Sequence, residues 1–194
     1  MNENHARLCP SPQWADWIQG ELLPSLTAGV DLGAEMLEIG PGPGAATGWL
    51  RHRVRRLVAL EIDEEAAARL AAQYDGGNVE VTVGDATAMT FGDASFDSVA
   101  TFTMLHHVPT AAAQDQILAE TLRVLRPGGL LIGSDSLASN DLHEFHAGDT
   151  YNPVEPAAFL TRLRTVGFGK ITIGVDDVLT FVARKLAGDR ECGS

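Results

Sequence analysis

The chain has 194 residues, enough for one domain with a substantial buried core. Its formal net charge of −12 repels a phosphate backbone and argues against nucleic acid as substrate. No apolar run approaches a membrane span, and the start MNENHARLCP lacks the apolar stretch of a signal peptide, so a soluble, cytoplasmic protein is expected.

Strand and helix signals alternate along the chain without repeats or a long linker, which favours one α/β layered domain over residues 1–194. Ser11-Pro12 reads as an N-cap with proline in the first helical turn, opening a helix through Trp14, Trp17 and Leu22 toward Pro24. Residues 1–30 are therefore expected to form a helical segment or lid. Met36–Ile39 is a short buried strand. The basic run RHRVRR, Arg51–Arg56, reads as a solvated helix end. Leu57–Ile62 is a second strand, after which Asp63 caps the helix EEAAARLAAQY; its early acids suit the positive helix end and Gly76-Gly77 stops it.

Val79–Val83 and Phe96–Leu105 are the third and fourth strands. AAAQDQILAETLRVL has apolar residues at helical spacing, and RPGG turns into a fifth strand, LLIG. Nearly continuous apolar strands indicate a parallel sheet covered on both faces. The end differs: after the helix PAAFLTRLRTVGF, the segments KITIGV and VLTFVARK are separated only by Asp176-Asp177, a connection short enough for an antiparallel hairpin. Cys9 and Cys192, without metal-ligand spacing, read as free thiols.

The stretch EMLEIGPGPGAATGWL places Gly40, Gly42 and Gly44 directly after the first strand and before a helix-like segment. Glycines without Cβ let the backbone approach a ligand, and a following helix N-terminus offers N–H groups. Taken alone, Gly40-x-Gly42-x-x-Ala45 with Glu61 about 20 residues on also satisfies the permissive dinucleotide fingerprint. Glu61 closes the second strand, where a carboxylate can accept from ribose hydroxyls; Asp85 closes the third, where another can accept from an adenine amino group. One acid per successive strand makes an adenosine cradle. No second domain is evident to hold a hydride donor or acceptor.

Together these residues resemble the class I S-adenosylmethionine-dependent methyltransferases, and within them the small-molecule group related to the ubiquinone and menaquinone methyltransferases. LEIGPGPG, LVALEID, VTVGDATAM, FDSVATFTMLHHV and LRVLRPGGLLIG look like that family's successive motifs, in order. The resemblance implies a Rossmann-like three-layer sandwich with a mostly parallel seven-stranded sheet and an antiparallel C-terminal edge hairpin. It implies S-adenosyl-L-methionine as cofactor: Glu38, Gly40, Gly42 and Gly44 around methionine and ribose, Glu61 on the ribose hydroxyls, Ile62 on adenine, Asp85 and Ala86 at the adenine edge, Thr101 and Phe102 along the sulfonium side. Pro41 and Pro43 depart from the pattern by removing two amide donors.

The implied reaction is in-line displacement of the sulfonium methyl by an O, N or C nucleophile of a small molecule, for which the protein supplies orientation and, for a hydroxyl, proton removal. His106 and His107 follow the fourth strand at the sheet's carboxyl edge and are the candidate bases; TMLHHV resembles a T-x-L-H pattern of phosphoethanolamine methyltransferases in which the first histidine assists deprotonation. In the connection 134–156, expected to face the acceptor, DLHEFHAGD carries His143, Glu144, His146 and Asp149. These lack a strong metal signature, so no metal is expected, although acceptor contact or ligation by them stays open. Trp14, Trp17, Met104 and Phe145 are candidates for an apolar lid or acceptor wall. A binding or regulatory protein that holds the cofactor without transfer, and an NAD-linked oxidoreductase, remain alternatives.

Overall fold

The computed structural model describes residues 11–187; the two cysteines lie outside them. Ser11 caps α1 (Pro12–Trp17) by accepting from the Trp14 amide. A π-helical turn (Ile18–Leu22) then leads into α2 (Leu23–Thr27), so the helix runs past Pro24 rather than ending there. The Leu23 amide donates to the Ile18 carbonyl, five residues back, and this wider turn accommodates the ring that would otherwise clash with the carbonyl four residues before it. Ile18, Leu22 and Leu23 are 1%, 7% and 0% exposed, so these side chains belong to the core.

The sheet contains β1 (Glu35–Ile39), β2 (Arg56–Glu61), β3 (Val79–Val83), β4 (Phe96–Phe102), β5 (Leu125–Asp135), β6 (Phe168–Val175) and β7 (Leu179–Lys185) in the order β3-β2-β1-β4-β5-β7-β6. β3, β2, β1, β4 and β5 pair in parallel, while β7 runs antiparallel to both β5 and β6. The expected C-terminal hairpin thus forms, but its second strand inserts beside β5 and leaves β6 at the edge.

Alternation along β1 decides which layer each side chain enters. Leu37 and Ile39 join the cluster with Val99, Leu131 and Phe159, whereas Met36 joins Ile18, Leu23 and Leu50 on the opposite face. Glu38 belongs to the second face, under the short helix α3 (Thr47–Leu50). Elsewhere local chemistry sets the boundaries: Asp63 caps α4 (Glu64–Gln73) by accepting from Ala66, Thr110 caps α5 (Ala111–Val124), and Glu155 caps α7 (Pro156–Val166), which ends at left-handed Gly167.

Three further expectations are corrected. The fourth strand stops at Phe102, and Leu105–His107 forms a 3₁₀ turn entered through Thr103 at φ 49°. β5 starts at Leu125, directly at the end of α5, and includes the RPGG segment. The connection 134–156 contains a helix, α6 (Asn140–Phe145). The basic run follows the end of α3 with His52, Arg53 and Arg55 exposed, as expected, and it is also paired: the Arg53 guanidinium lies 3.1 Å from the Trp49 ring centroid, Val54 is buried, Arg55 pairs with Glu35, and Arg56 pairs with Glu35 at 3.2 Å and Glu80 at 2.5 Å. Those partners stand at the adjoining ends of β1, β2 and β3.

Candidate functional site

The carboxyl ends of β1, β2 and β4 deliver three groups of residues to one edge of the sheet. After β1, Gly40, Gly42 and Gly44 adopt φ of 65°, 52° and 86°, left-handed values that L side chains rarely adopt. A Cβ on Gly40 would stand 2.3 Å from Met104 Cγ, and one on Gly44 would stand 2.6 Å from Leu70 Cδ1, whereas at Gly42 nothing lies within 4 Å. Gly40 and Gly44 therefore permit close packing, while Gly42 leaves open space. All three glycine amides are committed: Gly40 donates to the Leu60 carbonyl, Gly44 to the Pro41 carbonyl, and Gly42 to Glu61 Oε2 at 3.1 Å. The helix that follows, Thr47–Leu50, is a single short turn.

What the turn presents instead is carboxylate. Glu61, 8% exposed, accepts from Gly42 at Oε2 and from the amides of Ile62 and Asp63 at Oε1. This pins the glycine turn to the end of β2. Glu38, 2% exposed, accepts from the Thr47 hydroxyl at 2.7 Å. Burial raises its pKa to about 7, the Thr47 bond opposes that, and the negative field of Glu61 adds to it. Beside Glu61, Ile62 is 69% exposed, a large apolar side chain held in solvent at the mouth of a polar turn. Asp85 is exposed with Oδ1 accepting from the Thr87 amide, and Ala86 is half-buried.

On β4, Thr101 is buried with no hydrogen-bond partner for its Oγ1, and the same holds for Ser134 Oγ on β5. Phe102 is 8% exposed and packs in the core cluster of Ile18 and Leu22.

The histidines after β4 are organised around a residue that the sequence did not single out. Asp135, wholly buried at the end of β5, accepts from the Leu105 amide at Oδ2 and from the Ser136 amide at Oδ1; His106 Nδ1 lies 2.6 Å from the same Oδ1. A carboxylate oxygen accepts, so Nδ1 of His106 carries a proton, and in the neutral ring the lone pair is on Nε2. His107 lies tilted against His106 at 4.1 Å between ring centroids, and His146, from the end of α6, packs edge-on to His106 at 5.1 Å. Tyr151 stacks on His146 at 4.3 Å. Of the polar group in the connection, His146 packs on the His106 ring and Asp149 acts on His146 through its charge, while His143 and Glu144 are exposed, the His143 ring 6.2 Å from that of Tyr151.

A cavity of about 320 Å³ lies beside it, lined by Ser139, Asn140, His143 and Tyr151. A larger hollow of about 440 Å³, lined by Pro24, Leu32, Trp49 and Arg53, lies toward the amino end of β1, away from all of these residues. Size alone misplaces the chemistry.

A family model described as a methyltransferase domain matches residues 37–133. A protein of Mycolicibacterium smegmatis named a probable S-adenosylmethionine-dependent methyltransferase is 33% identical over 102 residues, 53% of this chain and 38% of that one. A fatty-acid O-methyltransferase of the same organism is 29% identical over 128 residues, 64% and 46% of the two chains. A Pyrococcus horikoshii OT3 structure superposes with TM-score 0.81 at 18% identity, covering 95% of this chain and 99% of that one. A Methanosarcina mazei S-adenosylmethionine-dependent methyltransferase superposes with TM-score 0.67 at 21% identity, covering 80% and 93%. At these identities the superpositions speak to the fold. This chain spans less than half the length of the curated relatives above. No helix among the described residues is long and apolar enough to cross a membrane.

Proposed function

We propose that this chain, which belongs to the methyltransferase-domain family, transfers the methyl group of S-adenosylmethionine to a small-molecule acceptor bound between the His106 cluster and the connection 134–156. The observation that carries the reading is the glycine turn itself: the amides of its three glycines are spent inside the protein, the carboxylate of Glu61 is bound to it, and Glu38 beside it gains its charge as pH rises through about 7. Such a turn favours a cation over a pyrophosphate. It therefore supports a sulfonium nucleoside over the dinucleotide that the glycine spacing also allowed.

The residues fit that cofactor. Glu61 offers lone pairs to ribose hydroxyls, the exposed Ile62 side chain gives adenine an apolar shelf, and Asp85 with Ala86 stands where the adenine edge is read. Glu38, with the backbone of Gly40, Gly42 and Gly44, borders the methionine portion, and Thr101 with Phe102 closes the sulfonium side. S-adenosylmethionine supplies, when bound, a methyl group on positive sulfur that leaves as a neutral thioether. The protein's own part is to orient the acceptor, keep water out and move a proton. His106 serves the last task at Nε2, because Asp135 holds its Nδ1–H and fixes the tautomer; His107 packs against it as the companion.

The lining of the neighbouring cavity, hydroxyl, amide and imidazole groups around Tyr151, suits a small polar or amphipathic acceptor rather than a macromolecule. The motif wording supports an acceptor chemistry like that of the ubiquinone and menaquinone group. Calorimetry with S-adenosylmethionine, S-adenosylhomocysteine and NAD tests the cofactor, and a metabolite-extract screen for S-adenosylhomocysteine release tests transfer. Binding of NAD in preference to S-adenosylmethionine would refute the reading, and cofactor binding without release from any extract would make the protein a sensor.

A further inference from the structure

We propose that His106, His107 and His146 form a site for one divalent transition-metal ion of the zinc class. One ring nitrogen from each lies within 4.8 Å of the other two. Three nitrogens bound to a tetrahedral ion at about 2.0–2.1 Å stand about 3.4 Å apart, so side-chain shifts on the order of 1 Å close the set.

Two of the three rings are already held in the tautomer a metal requires. His106 Nδ1 donates to buried Asp135 at 2.6 Å. His146 Nδ1 lies 2.5 Å from the Leu142 carbonyl, which accepts only, so this nitrogen also carries the proton. In both rings Nε2 is thus the nitrogen left to ligate an ion. A ligating histidine whose other nitrogen donates to a carboxylate or backbone carbonyl is the supporting arrangement of metal sites, and those outer partners set ring orientation and basicity. Tyr151, stacked on His146, fixes that ring from the other side.

Imidazole nitrogens select zinc-class ions over magnesium and calcium. Three protein ligands leave one tetrahedral position for an outside oxygen, water or the hydroxyl of an acceptor. That last point rests on the proposed function: Nε2 of His106 either ligates the ion or takes the acceptor's proton. In the loaded site the ion acidifies the coordinated hydroxyl and the proton leaves to solvent.

The test uses the full, tag-free chain carrying Cys9→Ser and Cys192→Ser, so that neither thiol competes. Competition calorimetry should find one Zn²⁺ per chain and no Mg²⁺ bound, and Co²⁺ should give the intense visible bands of four-coordination. His107→Ala, at the half-exposed position, and His146→Ala should each lower Zn²⁺ affinity by more than about 100-fold, and Asp135→Asn by about 10–100-fold. His52→Ala, an exposed histidine outside the cluster, should change nothing. Zn²⁺ affinity unaltered in both His107→Ala and His146→Ala, or a six-coordinate Co²⁺ spectrum, would overturn the inference. S-adenosylmethionine affinity on the same samples separates the two readings: a chain that binds the cofactor and no zinc overturns only the metal site, and one that binds zinc and no cofactor overturns only the methyltransferase assignment.

Discussion

Replacing Glu38 with glutamine keeps the side chain's volume and an acceptor for the Thr47 hydroxyl while removing a buried acid. The folded-state pKa of about 7 stands above the ordinary 4.5. Between those values the folded protein keeps a proton that the unfolded chain has lost, so stability falls as pH rises from about 4.5 through about 7 and is flat above. A shift of that size corresponds to about 3 kcal/mol in total, of which roughly 2–3 kcal/mol is lost between pH 5 and pH 8. Glu38→Gln carries no titrating group there. Its stability relative to the native protein should rise by that amount between pH 5 and pH 8, measured as unfolding free energy from urea titrations at several pH values. A pH-independent difference, or a variant less stable than the native protein at pH 8, would refute a buried protonated Glu38. The same site then predicts a binding effect: affinity for cationic S-adenosylmethionine should increase from pH 6 to pH 8 in the native protein and stay flat in Glu38→Gln.

Glu61→Ala should weaken S-adenosylmethionine binding by about 1.5–3 kcal/mol, the range for hydrogen bonds to a charged group, and should lower the melting temperature because the amides of Gly42, Ile62 and Asp63 lose their shared acceptor; unchanged calorimetric affinity in folded protein rejects the ribose assignment. Asp85→Ala should weaken binding more than Asp85→Asn, whose amide carbonyl still accepts a hydrogen bond, and equal, normal affinities would remove Asp85 from the adenine edge. In chelated, metal-free protein, His106→Ala should leave cofactor affinity intact and slow single-turnover methyl transfer to a hydroxyl acceptor by about 10²–10⁴-fold. That loss should shrink as pH rises and the acceptor ionises by itself, whereas a pH-independent loss would indicate a purely structural His106. Gly40→Ala should destabilise the fold by more than about 1 kcal/mol, since its φ of 65° disfavours alanine and the new Cβ would meet Met104 Cγ at 2.3 Å; an unchanged urea midpoint would contradict the packing of Met104 under the turn.

The sequence determined what depends on neighbours along the chain. Asp63 announces α4 because its carboxylate reaches an amide three residues on, Asp176-Asp177 permits a hairpin because so short a connection brings its flanking strands together, and the left-handed backbone after β1 is legible because glycine adopts it readily. The Glu61 and Asp85 positions follow for the same reason, each ending a strand whose limits are local. Tertiary structure decided everything that needs two distant segments. That β7 enters between β5 and β6 is invisible in the hairpin itself, since either strand could have paired with β5. That the glycine amides are consumed depends on Leu60 and Glu61 arriving beside the turn.

The histidine cluster shows the division most clearly. TMLHHV marks two imidazoles at the sheet edge, but the partner that orients His106 is Asp135, 29 positions away and brought alongside by the β4–β5 pairing. His146 joins only because α6 folds back from the connection after β5, while its sequence neighbours His143 and Glu144 stay in solvent. A hydrogen bond or a ligand set is a condition on distances of a few ångströms, and chain order constrains such distances only within a turn or so of helix or strand; beyond that, the packed sheet sets them.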